Sequence, residues 1–125
     1  MSLAFWCVLA AAMLPFGFTL AAKWNRAYDN HAPRPWLDGL GGWQLRAHWV
    51  QLNSFEAFPP FAAAVIIAHL SRGALPMSDA LAVVYVALRL AYGLCYLADT
   101  ATLRSVFWMA ANFCVIGLFL IAANF

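Results

Sequence analysis

The chain has 125 residues, 66% of them hydrophobic and 10% charged, with a mean hydropathy of +0.77. A soluble domain of this length leaves too large a share of its surface in water to hide so much apolar area, so the bilayer is the solvent that fits. A net charge of +2, scattered along the chain, excludes a nucleic-acid surface.

Crossing about 30 Å of hydrocarbon takes roughly 20 helical residues, so the chain has room for four spans and little else: one membrane domain over residues 1–125. The first span is expected over 3–22, LAFWCVLAAAMLPFGFTLAA, uncharged and with a proline near its middle. A cleaved signal peptide is disfavoured, because MSLAF supplies no basic residue. The connection KWNRAYDNHAPRPWLDGLGG is rich in Gly, Pro, Asn and Asp and predicts an irregular, solvent-facing loop. Its Trp24 and Trp36, and Trp43 just after it, suit the headgroup layer.

The second span is expected over 43–70, its helix starting near Gly42 and running roughly 42 Å. That exceeds the hydrocarbon thickness, so Arg46 projects beyond the core. Pro59 and Pro60 remove backbone donors and predict a kink. Gly73 and Pro76 mark a turn, with Ser78 as the N-cap of a third span over 79–98. Residues 99–102 form the next turn, and the fourth span covers 103–123. The fold class that follows is an all-α integral membrane protein, a bundle of four transmembrane helices.

Lys23, Arg26 and Arg34 lie in the first loop with Arg46 close behind, whereas the second loop carries Arg72 alone. Counting positive charge places the first loop in the cytoplasm, both termini outside it, and Arg104 back on the cytoplasmic side.

Two polar stripes interrupt the apolar spans. At about 100° per residue, Asn53 lies roughly 20° and Glu56 roughly 80° from Arg46, with Trp49 between them; His48 points away. In the third span Tyr85, Arg89, Tyr92, Tyr96 and Asp99 fit an arc of roughly 80°. Ionisable groups inside a bilayer are costly and face a partner or a cavity. Glu56 and Arg89 each sit about 15 Å from their cytoplasmic markers, Arg46 and Asp99, and this equal depth predicts a buried Glu56–Arg89 ion pair. Cys7, Cys95 and Cys114 are dispersed in apolar segments as packing residues, and His31, His48 and His69 are too far apart for a metal site.

The segments YDNHAPR, RAHWVQLNSFEAFPPFAAAV and RLAYGLCYLADTATLRSVFW together resemble the MAPEG family, membrane-associated proteins of eicosanoid and glutathione metabolism, and its bacterial members in particular. The diagnostic combination is Asn-x-x-Glu followed by Phe-Pro, then Arg-x-x-Tyr-x-x-x-Tyr and a downstream arginine. The resemblance implies a homotrimer with glutathione bound between protomers near the cytoplasmic face. It matches Asn53 and Glu56 to glutathione contacts on the second helix, and Tyr92 and Tyr96 to the tyrosines of the third. Arg104 matches the arginine that activates the thiol, Arg46 the outer arginine of the second-helix motif, and Arg26 the first-loop arginine. Arg89 matches the position that pairs with the glutamate. Trp49 stands where many glutathione-using members carry a second arginine, and Ala57 where many carry a tyrosine. The spacing from Tyr96 to Arg104 is one residue longer than in some eukaryotic members.

The function these residues imply is a glutathione-dependent transferase or peroxidase of a bacterial inner membrane. Glutathione is its co-substrate and its thiolate is stabilised by Arg104. Membrane lipids surround it, and a lipophilic electrophile enters between the first and fourth spans. The rival is a non-catalytic lipid-binding or scaffold protein of the same architecture, which Trp49 and Ala57 favour. A secondary transporter is disfavoured by the lack of an evident internal repeat.

Overall fold

The computed structural model describes residues 1–25 and 27–124. Its helices are α1 (Leu3–Ala22), α2 (Pro33–Asp38), α3 (Gly42–Arg72), α4 (Pro76–Leu97) and α5 (Ala101–Ala122). All but α2 are long and apolar enough to cross a membrane. Neighbouring long helices pack in the cyclic order α1, α3, α5, α4, and α3 also touches α4 across the middle.

Helix ends show where local chemistry decided the boundaries. The first amides of α1 are capped twice: Phe5 donates to Ser2 Oγ, and Ala4 donates to Asp79 Oδ1 at 2.8 Å from the first turn of α4. One carboxylate therefore serves two positive helix ends. The third span begins at Pro76 rather than at 79, because proline's fixed φ and missing N–H suit the first helical position. Ser78, expected as the cap, is a buried residue inside the first turn. Asp99 lies beyond the end of α4 in a left-handed turn (φ 59°) and is exposed, so it does not continue the polar stripe of that helix. The fourth span starts at Ala101, two positions earlier than the expected 103, after this turn.

The first loop is more ordered than its composition suggests. Pro33 opens the short helix α2, Leu37 is buried against Ala22 and Ala47, and Trp36 meets Tyr28 edge to face at 5.0 Å. Gln44 donates to the carbonyl of Trp24, and Asp38 Oδ1 lies 3.3 Å from Nε2 of the buried His48. These contacts fold the loop back onto the start of α3. Among the expected headgroup residues, Trp24 and Trp43 are exposed, and Trp36 is half-buried by Tyr28.

Helix α3 runs for 31 residues, continuous through Pro59 and Pro60. Both prolines are exposed, as are Phe55 and Glu56, whose carbonyls lose their helical donors to them. On the inner side, Tyr85 of α4 donates to the carbonyl of Ala57 and stacks on Phe61 at 3.9 Å and 7°.

The main core lies at the end of the bundle that carries the chain's N-terminus. Ala4, Cys7 and Ala11 of α1 meet Phe61, Ala64 and Val65 of α3, Ala82 and Tyr85 of α4, and Ala111, Cys114, Val115 and Leu118 of α5. Lipid tails are as apolar as these side chains, so association rests on close packing, which small residues permit. Gly93 is the tightest case: a Cβ there would stand 2.2 Å from Cζ of Phe18. Gly117 meets Leu81 within its own chain, whereas Gly17 has open space around it. Large apolar residues such as Leu9, Phe16, Phe113 and Ile116 are exposed, as a lipid-facing surface requires.

Candidate functional site

Toward the opposite end, α3, α4 and α5 part around a set of polar clefts. Asn53 is common to three of them. One, about 350 Å³, is lined by Trp49, Leu52, Asn53, Glu56, Tyr92 and Tyr96. A second, about 230 Å³, adds Arg104, Ser105 and Trp108 from α5. A deeper one, about 170 Å³, reaches Arg89, Tyr85 and Asn112 below Glu56. The polar stripes of α3 and α4 thus face each other, and α5 closes the third side.

Arg89 is 3% exposed and donates from Nη2 to Asn53 Oδ1 at 2.7 Å, with its guanidinium carbon 4.3 Å from the centre of the Tyr92 ring. The expected Glu56–Arg89 ion pair is not formed. Among the described residues, the acid–base contact within 4.0 Å is His48–Asp38. Arg89 lies at the level of the polar stripe on α3, but Asn53, one turn before Glu56, is the residue it reaches. Glu56 lines the same deep cleft and is exposed.

From Arg89 the aromatic residues continue outward. Tyr92 is buried and meets Tyr96 edge to face at 5.7 Å and 84°. Tyr96 has Trp49 6.2 Å away, and the guanidinium carbon of Arg104 lies 4.5 Å from its ring centre. Arg89, Tyr92 and Tyr96 are spaced three or four residues apart on α4, which places them on one helix face. Arg104 comes from the first turn of α5, half-buried; among the described residues its guanidinium makes no hydrogen bond and no ion pair.

Arg46 has another engagement. Its Nε and Nη2 donate to the carbonyl of Leu97 at 3.3 and 3.2 Å, so it closes the negative C-terminal end of α4 just beyond Tyr96. Arg26 lies outside the described residues. His48 stays apart from the clefts, held by Asp38 and Gln51.

Leu52, Ser105, Trp108 and Asn112 line the clefts without having been expected from the sequence. Ser105 and Trp108 follow Arg104 by one residue and by one turn, but an apolar span without a second charge gave no reason to single them out.

A family model for the MAPEG family matches residues 3–124. No curated protein and no solved structure matches the chain. With a match across nearly its whole length and a bundle of four membrane-spanning helices, this integral membrane protein belongs to the MAPEG family.

Proposed function

We propose that the protein is a membrane-bound glutathione-dependent transferase or peroxidase acting on lipophilic electrophiles. The observation that carries this reading is Arg104: a half-buried guanidinium, without a carboxylate partner among the described residues, at the mouth of the cleft where Asn53, Tyr92 and Tyr96 converge. At the end of a membrane span, with the Tyr96 ring as its neighbour, this half-buried cation has donors to spare, and a bound thiolate would use them.

Glutathione is anionic at neutral pH. Asn53 and Glu56 offer polar contacts on α3, Tyr92 and Tyr96 offer hydroxyls and ring faces on α4, and Arg104 donates to the thiolate. Arg26 is proposed to hold a glutathione carboxylate. Arg89 fixes Asn53 and Tyr92, and Arg46 holds the end of α4 that carries Tyr96. A free thiol has a pKa of about 8.5, and an adjacent cation favours the thiolate that attacks. In conjugation a sulfur–carbon bond forms, the leaving group departs with the bonding electrons, and the thiol proton passes to water. In peroxide reduction, sulfur attacks the outer peroxide oxygen and the O–O bond breaks. The alcohol leaves with a proton, and a second glutathione reduces the sulfenic acid to give disulfide and water.

The exposed face of α3 supports a homotrimer. Phe55 and Glu56 carry carbonyls without helical donors, and lipid supplies none. A neighbouring protomer packed on this face would shield these carbonyls from lipid, and the open space at Gly17 suits its close approach. The basic first loop supports a cytoplasmic site with both termini outside, in a bacterial inner membrane.

The test is calorimetric titration of glutathione into the detergent-purified oligomer, beside Arg104→Ala. Saturable binding that weakens in the variant is expected. A folded oligomer that binds no glutathione sinks the reading.

A further inference from the structure

Asn53 borders all three polar clefts, so the orientation of its amide decides what a ligand meets there. Its neighbour fixes that orientation. A guanidinium carries five N–H donors and no acceptor, and Nη2 of Arg89 stands 2.7 Å from Asn53 Oδ1. Turning the amide over would set Nδ2 against that donor and strip a buried charge of its hydrogen bond. The oxygen therefore faces Arg89.

Arg89 is itself held. It is buried, and its guanidinium also lies over the Tyr92 ring, so the cation is kept between an amide of α3 and an aromatic face of α4. What remains of Asn53 is the nitrogen. Among the described residues Nδ2 makes no hydrogen bond, and it is not sealed in protein, because the buried side-chain atoms without a partner are the hydroxyls of Ser54 and Ser78. Its protons are reachable from the clefts that Asn53 lines.

We infer that Arg89 is a positioning residue that makes Asn53 a hydrogen-bond donor to the ligand, so the ligand group seated at Asn53 is an acceptor, a carbonyl or carboxylate oxygen. An N–H or ammonium group is disfavoured there, since two donors would meet. The inference rests on the proposed function in taking these clefts as the ligand site. It assigns an oxygen of glutathione, and none of its N–H groups, to Asn53, and it involves no thiol chemistry.

The test uses the detergent-purified oligomer carrying asparagine labelled with a heavy nitrogen isotope, the Asn53 side-chain resonance being assigned by its loss in Asn53→Asp. Glutathione and acetate, an acceptor without a donor at neutral pH, are titrated in separate arms. Each should move the Asn53 amide protons downfield in a saturable way. Asn53→Asp keeps an oxygen toward Arg89 but replaces the donor by a second oxygen, and in calorimetry it should weaken glutathione roughly tenfold, equal to about 1.4 kcal/mol. Arg89→Lys keeps a neighbour that only donates and should retain the shift at saturation. Arg89→Gln can face either atom of the Asn53 amide and should lose much of it. If the Arg89 variants do not fold, the wild-type shift and Asn53→Asp decide. An Asn53 resonance unmoved at glutathione saturation, an equal shift in Arg89→Gln, or Asn53→Asp binding glutathione as tightly as wild type overturns the inference. If glutathione does not bind, the proposed function fails and the acetate arm decides alone: a downfield shift keeps the inference, and an unmoved resonance removes it.

Discussion

Asn53→Ala removes the acceptor that holds Arg89. Arg89 is 3% exposed, its guanidinium bond to Asn53 is 2.7 Å long, and among the described residues no carboxylate stands within 4.0 Å of it. An unsatisfied buried donor costs roughly 1–3 kcal/mol, more when charged, so the variant should lose about 3 kcal/mol. Asn53→Asp keeps an acceptor of similar reach and adds charge, and should stay close to wild type. In the double variant Asn53→Ala/Arg89→Met the stranded charge is gone, so the combined loss should fall short of the sum by about 2 kcal/mol. The assay is reversible unfolding in mixed micelles with rising denaturing detergent, followed by circular dichroism. Strict additivity, or an Asn53→Ala loss below about 0.5 kcal/mol, the range of an ordinary surface substitution, would refute the reasoning.

Three further outcomes follow from the packing. Gly93→Ala places a methyl 2.2 Å from Phe18 Cζ and should cost about 1–3 kcal/mol in the same unfolding assay, with relief from a second Phe18→Leu change. Asp79→Ala uncaps Ala4 and should cost about 1 kcal/mol, whereas Asp79→Asn, which keeps an acceptor, should cost less. Arg46→Ala frees the Leu97 carbonyl and should lower stability and glutathione affinity together, with faster amide exchange over residues 94–98.

The spans were legible because a run of roughly 20 apolar residues has one stable backbone solution in lipid. The convergence of the Asn53 and Tyr92 stripes was legible because polar groups at membrane depth must face one another. Three features were not. The fold-back of the first loop depends on tertiary contacts of Leu37 and Asp38, which loop composition does not encode. Arg46 found a carbonyl of α4, since the end of a helix is an acceptor that carries no sequence signal of its own. Arg89 reached Asn53 instead of Glu56 because depth alone cannot separate two acceptors one turn apart.

In the proposed function, Arg104 turns bound glutathione into its thiolate. Ultraviolet difference absorbance of the purified oligomer, titrated with glutathione near neutral pH, reads that thiolate directly. A saturable thiolate band is expected in wild type and should disappear in Arg104→Ala at glutathione concentrations that still saturate the variant. A band of equal size in both proteins, or binding without any band in wild type, would contradict it.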